Sequence, residues 1–249
     1  MNAMFFAAAV LAAYLVGSLS FAVIISRVMG LADPRSYGSK NPGATNVLRS
    51  GSRPAALLTL AFDALKGYIP VLLVLMFGQP YGLEENAAAF VGLAAFIGHL
   101  WPVFFRFQGG KGVATAAGVL MAVNPLLGLA TLLSFALIVA FSRYVSLGAM
   151  VAAVFAPFYQ TLIWGPELST LALVVMSLLL VWRHKGNIRK LLAGTEHKLG
   201  QSFNAEPANA RTRAKTPAKT PAKTPVKAAA EAAAEAAAKG RHRRKNKGH

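Results

Sequence analysis

The chain contains no cysteine. That excludes disulfides, thiolate nucleophiles and cysteine–zinc sites. Acids are scarce as well: 9 Asp and Glu stand against 26 Lys and Arg in 249 residues, and charged residues of both signs make up only 14% of the chain. With 55% hydrophobic residues and a mean hydropathy of +0.48, this is a membrane composition. The few charges are unevenly spread. Residues 183–249 hold 17 Lys and Arg and 4 Asp and Glu, a surplus of 13, whereas residues 1–182 hold 9 and 5, a surplus of 4. The formal charge of +17 therefore belongs mainly to the end of the chain. A basic flank at the start is missing too. The first cation is Arg27, so residues 4–26 are expected to be a retained helix rather than a secretory signal.

What the chain does have is apolar runs. Residues 4–26, 54–77, 86–105, 112–123, 126–141, 147–164 and 168–182 predict an all-α, polytopic membrane protein with seven transmembrane helices. Segment 112–123 is short, and Asn124–Pro125 breaks it. Were it re-entrant, the later loops would change sides. Seven spans sort the loops by charge. One set carries Arg27, Arg35, Lys40, Arg49, Arg53, Arg106, Lys111, Arg143 and the whole tail, while the other carries Glu84, Glu85 and Glu167 with no Lys or Arg. The positive-inside rule then puts the N-terminus in the periplasm and the C-terminus in the cytoplasm. The Arg143 loop and the basic tail argue against the re-entrant alternative. Asp63 and Lys66 lie inside the second span, three residues apart on one helix face. A lone charge at that depth costs about 3 kcal/mol or more, so the two are expected to pair and face the bundle interior.

The most unusual stretch is GSKNPGATNVLR, Gly38–Arg49. Two glycines, a proline, two asparagines, a serine, a threonine and two cations sit between apolar runs. Such a loop can fold tightly and turn its N–H groups inward as an anion-binding nest, or it can be an ordinary turn with orienting charges. Three further segments share the basic side. GGKG, Gly109–Gly112, opens a helix and adds the charge of Lys111. It reads equally as a glycine turn. It is no Walker A loop, because Phe105 and Gly112 stand where Gly and Ser or Thr are required. SRYVS, Ser142–Ser146, is a polar turn, and RHKGNIRKLLAGTEHK, Arg183–Lys198, can be a basic juxtamembrane helix on anionic lipid. Within it, His184 and Asn187 are spaced to point the same way.

Signatures of covalent catalysis are missing. There is no G-x-S-x-G elbow. The residues five after His99, His184 and His197 are Phe104, Arg189 and Ser202, so the His-x4-Asp pair of common glycerolipid acyltransferases is absent. No carboxylate pair lies in the basic-side motif loops. An enzyme built this way would bind and polarise phosphate.

GSLSFAVIISR at Gly17–Arg27, GSKNPGATNVLR, GHLWPVFFRFQGGKGVATAAG at Gly98–Gly118, RYVSLG at Arg143–Gly148 and the Arg183–Lys198 segment together resemble the PlsY-type acyl-phosphate:glycerol-3-phosphate acyltransferases of bacteria. The resemblance covers residues 4–199, in order. Lys40 stands where that family's loop often has Gly, and Pro42 fills a variable position. The resemblance implies seven spans in the bacterial inner membrane and a site facing the cytoplasm. It implies that Ser39, Arg49, Lys111, His184 and Asn187 hold glycerol 3-phosphate, and that Gly43, Thr45, Asn46 and Ser146 cradle the acyl phosphate. Lys111 would lie near both and act as the catalytic residue. No metal or cofactor is called for. The implied partners are the two substrates and membrane lipid, with nucleic acid not required. The donor's own phosphate would accept the proton of the attacking hydroxyl.

Residues 1–200 are expected to form the membrane domain and 201–249 a disordered cytoplasmic tail. The tail has a proline-rich AKTPAKTP repeat, an EAAAEAAAK spacer and a basic end, none of which can build a core. The rival reading is a transporter or channel for a phosphorylated metabolite. Against it, the chain shows no internal repeat, and its polar groups gather at one interface rather than at mid-membrane.

Overall fold

The computed structural model describes residues 2–201, without the side chain of Glu85; the proline repeat, spacer and basic end of the tail lie outside the described residues. Every regular element among the described residues is helical. The α-helices are α1 (Ala3–Gly17), α2 (Phe21–Val28), α3 (Ala44–Val47), α4 (Arg53–Phe77), α5 (Glu85–Leu100), α6 (Val113–Val123), α7 (Pro125–Ser142), α8 (Val145–Trp164), α9 (Leu168–Arg183) and α10 (Lys185–Leu192).

Among the described residues, four stretches are long and apolar enough to cross a membrane: Arg53–Phe77, Asn86–Phe105, Pro125–Ser142 and Val145–Trp164. Two bent pairs bring the number to six if each is one span. They are α1 with α2, at 41°, and α9 with α10, at 55°. The seventh expected segment is α6. Its 11 residues reach roughly 16 Å, about half a hydrocarbon core. The outward faces suit lipid. Leu126, Leu129, Leu133, Leu137 and Phe141 of α7 are all exposed.

The first expected span, 4–26, is one apolar run but two helices. The chain leaves α1 at Gly17 and re-enters helix at Phe21. A break at this depth leaves carbonyls without partners. Lys66 of α4 meets that need, since its ammonium donates to Leu19 O at 2.7 Å. The same ammonium lies 2.7 Å from Asp63 Oδ1, both side chains being 3% exposed or less. The expected pairing of these residues is therefore observed, and the pair also ties α4 to the break. His99 of α5 approaches the same carboxylate, with Nδ1 at 3.7 Å from Oδ1.

Small residues set the closest helix contacts, as is common between membrane helices. A Cβ built on Gly118 of α6 would stand 2.0 Å from Ala64 O of α4, and one on Gly17 of α1 would stand 2.0 Å from Ala95 O of α5. Between these seams, Phe96, Leu100, Val71, Val119, Leu127 and Leu173 are fully buried. As expected, the short apolar segment stops at Asn124. The Asn124 side chain caps α7 by accepting from the N–H groups of Leu126 and Leu127, and Pro125 takes the first helical position, where its missing N–H costs nothing.

Candidate active site

The loop between α2 and α4 is fixed from within. Asp33 pairs with Arg35 at 2.7 Å at its start, and the guanidinium holds the Asp33 carboxyl below the usual carboxylate range. Asn46 is buried, and both ends of its amide are used. Its Oδ1 accepts from Ser39 N at 3.0 Å, and its Nδ2 donates to the carbonyls of Pro34 (2.6 Å) and Tyr37 (3.2 Å). Gly38 has φ +56, and a Cβ there would meet Asn46 Oδ1 at 2.4 Å and the Arg49 side chain at 3.0 Å. Only glycine suits that place. Gly43 caps the short α3 through its carbonyl, which accepts from Asn46 N and Val47 N. Thr45 is exposed on α3.

GGKG lies against the end of α5. Gly110 N donates to His99 O at 3.1 Å, and a Cβ on Gly110 would stand 2.2 Å from His99 Nε2. Gly112 has φ +85 and leads into α6, the helix start expected after this motif. Arg183, the last residue of α9, donates to the carbonyls of Gly109 (2.8 Å) and Gly110 (2.9 and 3.1 Å). Lys111 then extends to donate to Asn187 Oδ1 of α10. Asn187 Nδ2 donates to Glu196 Oε1 at 2.6 Å, and that same oxygen accepts from Ser146 Oγ of α8 at 2.7 Å. A chain of contacts thus runs Lys111–Asn187–Glu196–Ser146 and draws three sequence segments together.

Charge follows this geometry. Burial pulls the Lys111 ammonium down to about 8, with Glu196 working the other way and Lys190, Arg49 and Arg183 adding to the fall. Arg49 is lowered by burial and raised by Glu196. One carboxylate therefore sits among several cations. Beside it opens a cavity of about 280 Å³ lined by Ser39, Lys40, Asn41, Gly109, Lys111, Arg183, Gly186, Asn187 and Lys190. This is just below the usual size of ligand sites, roughly 300 to 1,000 Å³, and suits a small ligand.

Of the residues expected at the site, Ser39, Lys111 and Asn187 line this cavity; Gly43, Thr45, Asn46, Arg49, Ser146 and His184 are not among the lining residues. Ser146 is linked to the lining residue Asn187 through Glu196, and the Glu196 carboxylate also acts electrostatically on Arg49. His184 is buried, and its Nδ1 donates to Leu180 O at 2.8 Å. Two contributors were not singled out from the sequence. Arg183 clamps the glycine turn, and Glu196 joins Ser146 to Asn187. The one available signal for Glu196 was its standing as the only acid in a segment otherwise rich in cations.

Residues 7–194 match the family described as glycerol-3-phosphate acyltransferase. The chain belongs to the glycerol-3-phosphate acyltransferase family. Among its relatives, the glycerol-3-phosphate acyltransferase of Burkholderia multivorans is 62% identical over 79% of this chain and 92% of its own length. That of Janthinobacterium sp. is 60% identical over 80% and 98%. The crystal structure of PlsY (YgiH), an integral membrane glycerol 3-phosphate acyltransferase, in its glycerol 3-phosphate form matches with a TM-score of 0.73 at 39% identity, covering 78% of this chain and 96% of that one. Its lysophosphatidic acid form matches with a TM-score of 0.71. For a glycerol-3-phosphate acyltransferase, a small cationic cavity beside apolar helices is the expected kind of site.

Proposed function

We propose that this acyltransferase takes its acyl group from an acyl phosphate and passes it to glycerol 3-phosphate, yielding 1-acyl-glycerol 3-phosphate (lysophosphatidic acid) and phosphate. This is the first acylation step of phospholipid synthesis. The observation that carries the reading is the convergence of the motif segments on Lys111, Asn187, Glu196 and Ser146 beside a cationic cavity.

The chemistry asks little of a covalent nucleophile. An acyl phosphate is a mixed anhydride and is already activated. The glycerol hydroxyl oxygen attacks the acyl carbon, the carbon–oxygen bond to phosphate breaks, and phosphate leaves with the electron pair. The hydroxyl proton passes to the departing phosphate, so no side-chain base is required. Catalysis then rests on cations and donors that meet the growing negative charge, and a single well-placed donor contributes roughly 3 kcal/mol. Lys111 is such a donor. Arg49, Ser39, His184 and Asn187 belong to the glycerol 3-phosphate side. Gly43, Thr45, Asn46 and Ser146 belong to the acyl-phosphate side, with Asn46 acting through the loop it shapes. Glu196 is a positioning residue that keeps Asn187 turned toward Lys111. Holding two reactants together supplies a further entropic advantage, and the acyl chain would lie along the apolar helices.

We further read the enzyme as a seven-span protein of the bacterial inner membrane with this site at the cytoplasmic face. Three helices support the direction. α5, α8 and α9 each have one end at the site, near His99, Ser146 and Arg183. Their other ends come together where Ser169 N donates to Asn86 Oδ1 and Gln160 Nε2 donates to Glu167 Oε2. The cationic and acidic loops are thus at opposite ends of one bundle, as the positive-inside rule requires.

The test is detergent-solubilised protein supplied with palmitoyl phosphate and labelled glycerol 3-phosphate, resolved by thin-layer chromatography. Labelled lysophosphatidic acid is expected. Its formation without a membrane barrier would exclude a pure transporter, and product formed from another acyl donor but not from palmitoyl phosphate would refute the donor assignment.

A further inference from the structure

Lys40 lines the cavity from the α2–α3 loop, while Lys190 lines it from α10. Neither belongs to the Lys111–Asn187–Glu196–Ser146 chain. Lys40 is also conformationally unusual. Its φ is +56, and only Arg106, Phe107 and Arg143 share a positive φ among the described non-glycine residues. The turn that imposes this angle is closed by Lys40 N donating to Tyr37 O at 2.9 Å. A left-handed backbone favours glycine and disfavours a residue with a Cβ. Strain of this sort, where it persists, tends to gather at functional sites. Lys40 is exposed, and the ion pairs among the described residues, Arg35–Asp33, Lys66–Asp63 and His99–Asp63, leave it out.

We propose that Lys40 is an affinity-determining residue of the acceptor site, an ammonium at the rim of the cavity that draws the dianionic phosphate of glycerol 3-phosphate inward. This rests on the reading of the cavity as the glycerol 3-phosphate site. Its action is electrostatic and precedes chemistry. An exposed charge at a cavity mouth raises the local concentration of an oppositely charged ligand, and salt screens the effect. Lys111, by contrast, is half-buried and held by Asn187. The two lysines therefore separate kinetically. Loss of Lys40 acts on KM, whereas loss of Lys111 acts on kcat.

The test uses the full chain in detergent as wild type, Lys40→Gly, Lys40→Gln and Lys40→Arg. Glycerol 3-phosphate is varied at saturating palmitoyl phosphate, at ionic strengths of about 0.01 M and about 0.1 M, where the screening length falls from about 30 to about 10 Å. The expected result is a KM raised about threefold to fivefold in both the Gly and Gln variants at the lower ionic strength. That gap narrows at the higher ionic strength, kcat is unchanged, and Lys40→Arg matches wild type. Glycine fits the backbone at this position and glutamine removes only the charge, so agreement between them identifies the ammonium. A KM within twofold of wild type in both, a fall in kcat, or a gap indifferent to salt overturns the proposal. Calorimetric titration with glycerol 3-phosphate alone separates the two readings. Wild type that neither binds it nor turns over refutes the cavity assignment, whereas wild type that does both beside unaltered variants refutes only the role of Lys40.

Discussion

In the mechanism proposed above, Lys111 concentrates the chemistry of the site in one group. Burial disfavours its charge and brings its pKa from 10.5 to about 8. The protonated form holds below that value, so turnover that depends on the ammonium is expected to fall as pH rises through about 8, read as kcat against pH. The same shift has a consequence for folding. A cation whose pKa is lower in the folded chain than in the unfolded one weakens the fold at neutral pH, and the penalty fades as pH rises past about 8. Lys111→Ala should therefore leave the melting temperature at pH 7 undiminished while costing about 100-fold in rate. Lys111→Arg should remove the alkaline limb, since a guanidinium does not titrate there, without restoring full rate. A planar fork does not occupy the place of a compact ammonium between two glycines. Near-normal turnover in Lys111→Ala would reduce GGKG to a turn between helices.

Among the elements, the short α6 has an outsized part because it carries GGKG at its start. Its position is set by close backbone contact with α4, with Gly118 against Ala64 O and Gly67 against Thr115 O. Thr115 Oγ1 also donates to Asp63 O at 2.9 Å. The buried Asp63–Lys66 pair, the α1–α2 break and the glycine turn are thus mechanically joined through α4 and His99. Gly118→Val should force these helices apart and cost on the order of 1–3 kcal/mol, the usual range for overpacking. A lowered melting temperature in detergent, with activity lost in step, is the expected reading. An unaltered melting temperature would show that the seam is loose.

At the scale of the whole molecule, the questions are sidedness and the tail. Because the chain has no cysteine, single Cys substitutions can be labelled cleanly. Glu84→Cys and Glu167→Cys should react with an impermeant thiol reagent from the periplasm, and Ser36→Cys and Ser142→Cys should not. Labelling of Ser142→Cys from outside would overturn the seven-span reading. A chain stopped after Gly200 should keep its turnover in detergent, since every candidate site residue among the described residues lies at or before Glu196. A tenfold loss of activity in folded truncated protein would place the tail in the active site.

The sequence by itself determined that the chain is a helical membrane protein, because long apolar runs can satisfy their backbone in lipid only as helices or closed barrels. It also determined the positions of the motif loops and the pairing of Asp63 with Lys66, since i,i+3 spacing and the cost of a lone buried charge are local facts. The break at Ser18–Ser20 was less legible, because glycine and serine, as at Gly17, Ser18 and Ser20, are also common inside membrane helices, and because the break is relieved by a lysine 47 positions away. The long-range contacts among the motif residues depended wholly on the fold. Glu196 meets Ser146 across 50 positions, Lys111 meets Asn187 across 76, and Arg183 meets Gly109 across 74. No local pattern encodes such distances. They follow from how helices of different lengths pack, and that packing decides which of the many polar loop residues face one another across the cavity.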